Sequence, residues 1–176
     1  MPTTTGVLRR QLATALTLKS ASGDGTITLT SVANGGYRES TKIDFGAIFK
    51  RGYIVTADLE FATAPTAGSY VEMWCNGSTS ATAGTDNRGG CTGVDQTYTG
   101  YGTAADGVGQ LLPVGSARLA AVATATVQKI LMRQLWTPPQ RYCSFVVLNN
   151  SGVAFHSSAA NIVFTFTPIE DIIQDS

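Results

Sequence analysis

Apolar residues recur at every second position through much of this chain. In Gly52 to Phe61, Tyr53, Val55, Ala57, Leu59 and Phe61 fall on one face and Thr56, Asp58 and Glu60 on the other, the period of a half-buried strand. After a connection of hairpin length holding Pro65 and Gly68, Tyr70 to Cys75 repeats the pattern, with Val71, Met73 and Cys75 inward and Tyr70, Glu72 and Trp74 outward. Two large outward aromatics suit either a partner surface or a covering loop of the same chain. The strongest strand signal lies between Arg141 and Thr167. Phe145 and Val147 alternate with Val146 and Leu148, apolar on both faces as in the middle of a core. A turn is expected at Asn149 to Gly152, where Asn and Gly accept positive φ. Beyond it Ile162, Phe164 and Phe166 alternate with Val163, Thr165 and Thr167.

The remaining segments are less regular. Ile27 and Leu29 set among Thr26, Thr28 and Thr30 predict a first strand, which Asn34-Gly35-Gly36 breaks; Tyr37 to Phe45 follows as a more polar strand with Ile43 and Phe45 as its apolar side. Ala117 to Trp136 permits a helix by its alanines, but Thr124, Thr126 and Val127 favour two strands joined near Ala123 to Ala125. Thr137-Pro138-Pro139 makes an extended connector. Residues 1–25 are weakly patterned; Leu12, Leu16 and Leu18 permit one short helix or strand, but the segment is expected to be an N-terminal arm ahead of one domain spanning 26–176. Asn76 to Gln110 is a glycine-rich loop with too few aliphatic residues to offset its ordering cost on its own domain. The tail from Pro168, with Ile169, Ile172 and Ile173, is expected to dock on the body. About eight strands with turns between them predict an all-β, two-sheet antiparallel sandwich of jelly-roll type.

Composition sharpens this picture. The chain has 176 residues, enough for one domain; only 14% are charged and 19 are glycine, as in turn-rich β structure. Lys plus Arg equals Asp plus Glu at 12 each, which argues against a general electrostatic grip on nucleic acid. No continuous apolar core of a signal peptide follows Met1 and no run approaches a membrane span, so synthesis and folding in a cytosol are expected. Cys75, Cys91 and Cys143 have neither disulfide-framework nor zinc spacing; Cys75 and Cys91 bracket a loop that a disulfide would close, against the low frequency of such bonds in a reducing compartment.

Candidate chemistry is sparse. His156 is the one histidine; Ser157 and Ser158 beside it form no nucleophile elbow, so it reads as a strand-end residue. Ser22-Gly-Asp-Gly-Thr26 and Thr85-Asp-Asn-Arg-Gly89 faintly resemble calcium loops but lack the repeated carboxylates, and read as Gly-Asp turns. Asn76-Gly-Ser78 and Asn149-Asn-Ser151 match the glycosylation sequon only as turn residues. No catalytic, cofactor-binding or metal-binding residue is expected.

From Tyr53 onward the chain resembles the jelly-roll head decoration, or cement, proteins of tailed bacteriophages. The fragments that carry the resemblance are Tyr53-Ile-Val-Thr-Ala-Asp-Leu-Glu-Phe61, Ala64-Pro65-Thr66-Ala67-Gly68, the glycine-rich insertion through Gly89-Gly90 and Gly93, and Leu112-Pro113-Val114-Gly115. Pro139-Gln-Arg141-Tyr142, Leu148 to His156 and Thr167-Pro168-Ile169 complete the succession, over roughly two-thirds of the chain. The resemblance implies a non-enzymatic virion protein on the capsid surface. Its partners would be the major capsid protein and itself, as a homotrimer, with no direct nucleic-acid or membrane contact. The alternatives are a sandwich of the tail, neck or baseplate, and a carbohydrate-binding adhesion module using Trp74, Tyr98 or Tyr101 as stacking platforms.

Overall fold

The computed structural model describes residues 7–46 and 52–174. Within them lie β1 (Val7–Leu12), β2 (Leu16–Lys19), β3 (Gly25–Thr26), β4 (Tyr37–Glu39), β5 (Ile43–Asp44), β6 (Gly52–Leu59), β7 (Tyr70–Ser78), β8 (Gln96–Thr97), the short helix α1 (Ala104–Val108), β9 (Leu112–Arg118), β10 (Gln128–Trp136), β11 (Tyr142–Asn150) and β12 (Val163–Gln174). They form two sheets. Sheet A has the order β10-β6-β12-β2-β3, with β1 also on β12; sheet B has the order β8-β4-β11-β7-β9, with β5 also on β11.

The winding follows from the pairings. Taking β4 and β5 as one interrupted strand, the principal strands in chain order are β2, β4/β5, β6, β7, β9, β10, β11 and β12. The first pairs with the last, the second with the seventh, the third with the sixth and the fourth with the fifth. The eighth then lies against the third and the seventh against the fourth. A long antiparallel ribbon has been rolled on itself, which is the jelly roll expected from the strand inventory.

The alternating residues meet between the sheets. Leu18, Val55, Phe145, Phe155, Phe164 and Phe166 are fully buried. Phe45, Tyr53, Trp136, Phe145 and Phe166 form one aromatic cluster, with centroids from 4.8 Å (Phe145 to Phe166) to 6.3 Å (Tyr53 to Trp136) and mostly edge-on or tilted rings, as ring quadrupoles favour. The turn after β11 exists, with Gly152 at φ +86°. It does not join paired strands, however: β11 is in sheet B and β12 in sheet A.

Three expectations are corrected. The boundary at residue 25 does not separate an arm from the sandwich, because β2 pairs with β12 and Leu18 is a core residue. Four residues are too short for a periodic signal, and their partner strand lies at the other end of the chain. Residues 1–6 of the expected arm and 175–176 of the tail lie outside the described residues. The first strand shrinks to Gly25–Thr26: Ile27 and Leu29 are buried as the alternation predicts, but the Thr28 N–H donates to the Asp95 carboxylate (2.9 Å) instead of a neighbouring strand. The tail is itself the end of β12, paired with β1 through Gln174. The third correction concerns residues 76–110.

Candidate functional site

Asn76 to Gln110 is folded onto the outer face of sheet B, beginning with the last residues of β7 and carrying β8 and α1. Beneath it, sheet B turns outward Tyr37, Val146 and Trp74. Cys91, Tyr98, Val108 and Leu111 descend from the loop and make a second apolar cluster with them. Tyr37 lies 6.4 Å from Trp74 and 6.5 Å from Tyr98. The question left open for Trp74 is thereby answered: the covering surface is a loop of its own chain.

Apolar area alone would not hold so polar a segment, and one buried and two half-buried charges supply the rest. Glu39, on the outer side of β4, is fully buried. Its carboxylate accepts from the Thr92 N–H (2.8 and 2.9 Å), the Thr92 hydroxyl (3.0 Å) and the Gly93 N–H (2.6 Å). Burial pushes its pKa up, and the donors from Thr92, Gly93 and Ser144 only partly oppose that, as desolvation and hydrogen bonding act in opposite directions on a carboxylate. Lys42 Nζ donates to the carbonyls of Ser80 (3.1 Å), Thr82 (2.8 Å) and Thr85 (2.7 Å) and to Ser78 Oγ (2.9 Å). An ammonium carries three protons, so four oxygens share them in a cradle that gathers one lobe of the loop. Desolvation lowers the Lys42 pKa.

Asp95 fastens the far lobe. Its carboxylate accepts from the Thr28 N–H and from Arg38 Nε (2.8 Å). Burial raises its pKa, but the bonds from Thr28 and Arg38 outweigh that and hold it below the ordinary carboxylate value. Tyr98 donates its phenol proton to the Gly89 carbonyl. Its ring passes so close to Gly107 that a Cβ there would strike the phenol oxygen. Charge-assisted bonds of this kind are stronger than neutral ones, which is how a segment with few aliphatic residues becomes ordered on its own domain. Sequence reasoning missed Glu39, Lys42 and Asp95 because their partners lie 36 to 67 residues away. The one available signal was Glu39 sharing an alternate row with Tyr37, Ile43 and Phe45.

Elsewhere the residues singled out from sequence are engaged in local structure. His156 Nδ1 accepts from the Ser158 N–H (3.0 Å) and lies 3.7 Å from Glu60 Oε2, which also accepts from Asn161 Nδ2. In the two calcium-like turns, Asp24 accepts from the Thr17 N–H and Asp86 from the Thr79 N–H. No group of three or more potential metal ligands occurs among the described residues. Asn76 and Asn149 are buried, the latter donating to the carbonyls of Val32 and Val153. The three cysteines are buried and unpaired. Cys75 faces the main core and Cys91 the outer cluster, on opposite sides of sheet B.

The three aromatics proposed as sugar platforms are not brought onto one surface: Tyr98 is 2% exposed, Tyr101 is 66% exposed and Trp74 packs under the loop. A hollow of about 180 Å³ opens between the loop and the Pro139-Gln140 connector. Arg88, Gln110, Gln140 and Asn76 line it, and Asn76 is already bonded to Asn87 and Ser144. No described helix is long and apolar enough to cross a membrane. No protein-family model matches the chain, and no curated protein and no solved structure shows significant similarity to it.

Proposed function

We propose that this chain is a non-enzymatic structural protein of a tailed-bacteriophage virion that binds the outside of the capsid and stabilises the head. One observation supports the reading above others. Buried Glu39 and half-buried Lys42 and Asp95 clamp a long loop onto a jelly roll, where an enzyme of this size would turn such groups toward a cleft. The resemblance that runs from Tyr53 to Ile169 supplies the setting, and with it the homotrimer as the state on the particle. In this reading the chain acts mechanically. Each copy bridges neighbouring capsid subunits, and many symmetric copies turn modest contacts into lasting ones.

The test is reconstitution. Purified full-length chain is added to phage heads that lack it, and bound protein is separated by sedimentation. The expected result is saturable binding in a fixed ratio to the major capsid protein, with greater resistance of the head to heat or low salt. Binding that labels tails but not heads would move the chain to the tail or neck. Binding to neither, with capture by host-surface polysaccharide, would replace the reading by adhesion.

A further inference from the structure

Among the described residues no loop buries the outer face of sheet A, whose outward threonines are half-exposed. Pairing register lays its outward residues in rows across β2, β12, β6 and β10. One row is Lys19, Val163, Asp58, Lys129; the next is Thr17, Thr165, Thr56, Leu131; then come Thr167 and Ile54. In the following row Leu12, Ile169 and Gly52 stand side by side, and the Leu135 side chain lies where a Cβ on Gly52 would have to go. Beyond them β12 and β1 run on as a two-stranded ribbon, with Arg10 opposite Asp171 and Leu8 opposite Ile173. Leu12, Leu131 and Leu135 are each more than half exposed, so half of the exposed large hydrophobic residues among those described share this one face.

We propose that this face is where a second copy of the chain packs, sheet on sheet. Three features favour that occupant. The first is charge. Across β2, β12 and β6 the central rows carry none, with Arg133 only at the β10 margin, while Lys19, Asp58 and Lys129 bring both signs to one end. A two-fold rotation therefore leaves uncharged rows on uncharged rows and buries no unpaired charge at the centre. The second is shape. Threonine, valine and isoleucine make a low, even surface, which two sheets need to approach to about 10 Å. The third is area: twelve residues of β12 by two to four strands give about 600 Å² of flat surface, the order of the ~800 Å² each partner buries in a standard interface. The contact is isologous and joins two chains; a trimer on a particle would use it between trimers and not within one.

The experiment needs only the isolated full chain, so its outcome is independent of whether the chain binds phage heads. Sedimentation velocity across the micromolar range is expected to show a reversible two-chain species. Leu131→Arg and Thr165→Arg are each expected to weaken it at least about tenfold, as a charge placed in the centre of an interface does. Leu112→Arg, equally exposed but on β9 of the other sheet, is the control and leaves it unchanged. A chain that stays monomeric, a trimer insensitive to both substitutions, or a dimer weakened only by the control would overturn the proposal. Because an arginine also has the power to unfold a sheet, a milder Thr167→Cys variant gives a second reading. The native cysteines are buried, so a short bismaleimide reports on Thr167→Cys alone; a covalent dimer is expected, and monomer only would overturn the proposal.

Discussion

The two sheets of this jelly roll share one core and present opposite exteriors. Outward from sheet B, the row across β4, β11 and β7 reads Glu39, Val146, Trp74; outward from sheet A, the matching row reads Thr17, Thr165, Thr56. The first set is bulky and includes a buried acid, and a loop of 35 residues, 76–110, is folded over it. The second is short, β-branched and only half-buried, and nothing in the described chain lies on it. Whether a sheet face is covered is thus written in its outward residues, once its strands have been placed. The inward alternation, which is the same in both sheets, carries none of that information.

The largest expected effect tests the part both faces share. Deleting residues 1–23 removes β2 and Leu18 from the core and leaves β12 paired on one side only, with β6, over Val163 to Phe166. The truncated chain is therefore expected to lose cooperative unfolding altogether, in a urea titration followed by tryptophan fluorescence. A cooperative transition within about 1 kcal/mol of the full chain would show that the sandwich closes without this strand and restore the boundary at residue 25.

Next comes the clamp that distinguishes sheet B. Glu39→Ala strands the N–H groups of Thr92 and Gly93 in a dry site and opens a hole, and is expected to cost about 2–4 kcal/mol. Hydrogen exchange should rise first in residues 79–110, with sheet A unaffected. Glu39→Gln keeps an acceptor for the two amides and sheds a charge that burial disfavours, so its cost is expected to be well under half that of alanine. Equal losses for the two variants would mean that the charge, not the acceptor, holds the loop.

Much of the fold was legible in the sequence because period-2 alternation survives in long strands. Tyr53 to Leu59, Val71 to Cys75 and Ile162 to Phe166 all point as the pattern says. Even Ile27 and Leu29 are buried as predicted, outside any ladder. What was not legible depends on pairs distant in sequence. Leu16 to Lys19 becomes a strand only because Phe164 and Phe166 come back beside it. The loop looked unfoldable because its composition was weighed without Glu39, Lys42 and Asp95, and charge-assisted bonds to distant side chains leave no local period. Tyr98, a candidate stacking platform by sequence, is for the same reason a buried member of the second cluster.

A smaller effect compares the two exteriors directly. Val146 and Val163 are both outward valines in central strands, the first fully buried under the loop and the second half-buried on the bare face. Val146→Thr places a hydroxyl in the dry cluster with Cys91 and Tyr98 and is expected to cost about 1–3 kcal/mol. Val163→Thr adds one more threonine to a threonine face and is expected to fall within about 0.5 kcal/mol of the parent in the monomer. Equal costs by chemical denaturation would show that the loop does not keep water from its underside.

The smallest effect is in the pH dependence, where the carboxylates that fasten the loop act with opposite signs. Stability changes with pH by the difference in protons bound by the unfolded and folded chains. Asp95 has a lowered folded pKa, because the bonds from Thr28 and Arg38 outweigh its burial. Below the unfolded value of about 3.9 the unfolded chain binds the proton more readily. The stability from Asp95 is thus complete above that value and is lost as pH falls through its folded pKa. Glu39 has a raised folded pKa, chiefly through burial. Between the unfolded value of about 4.3 and that raised pKa the folded chain holds the extra proton, so stability is greatest below this window and declines as pH rises through it. The two together predict a shallow maximum in the mildly acidic range, with loop 76–110 as the part that responds. Glu39→Gln is expected to flatten the descent on the alkaline side of that maximum and leave the acid side intact; Asp95→Asn is expected to do the reverse. Melting temperature measured at close pH intervals for the parent and both variants separates them. A parent profile that rises steadily with pH through the window above the unfolded Glu value would mean that the donors of Thr92 and Gly93 outweigh the burial of Glu39, and that the buried carboxylate is held charged wherever the loop is closed.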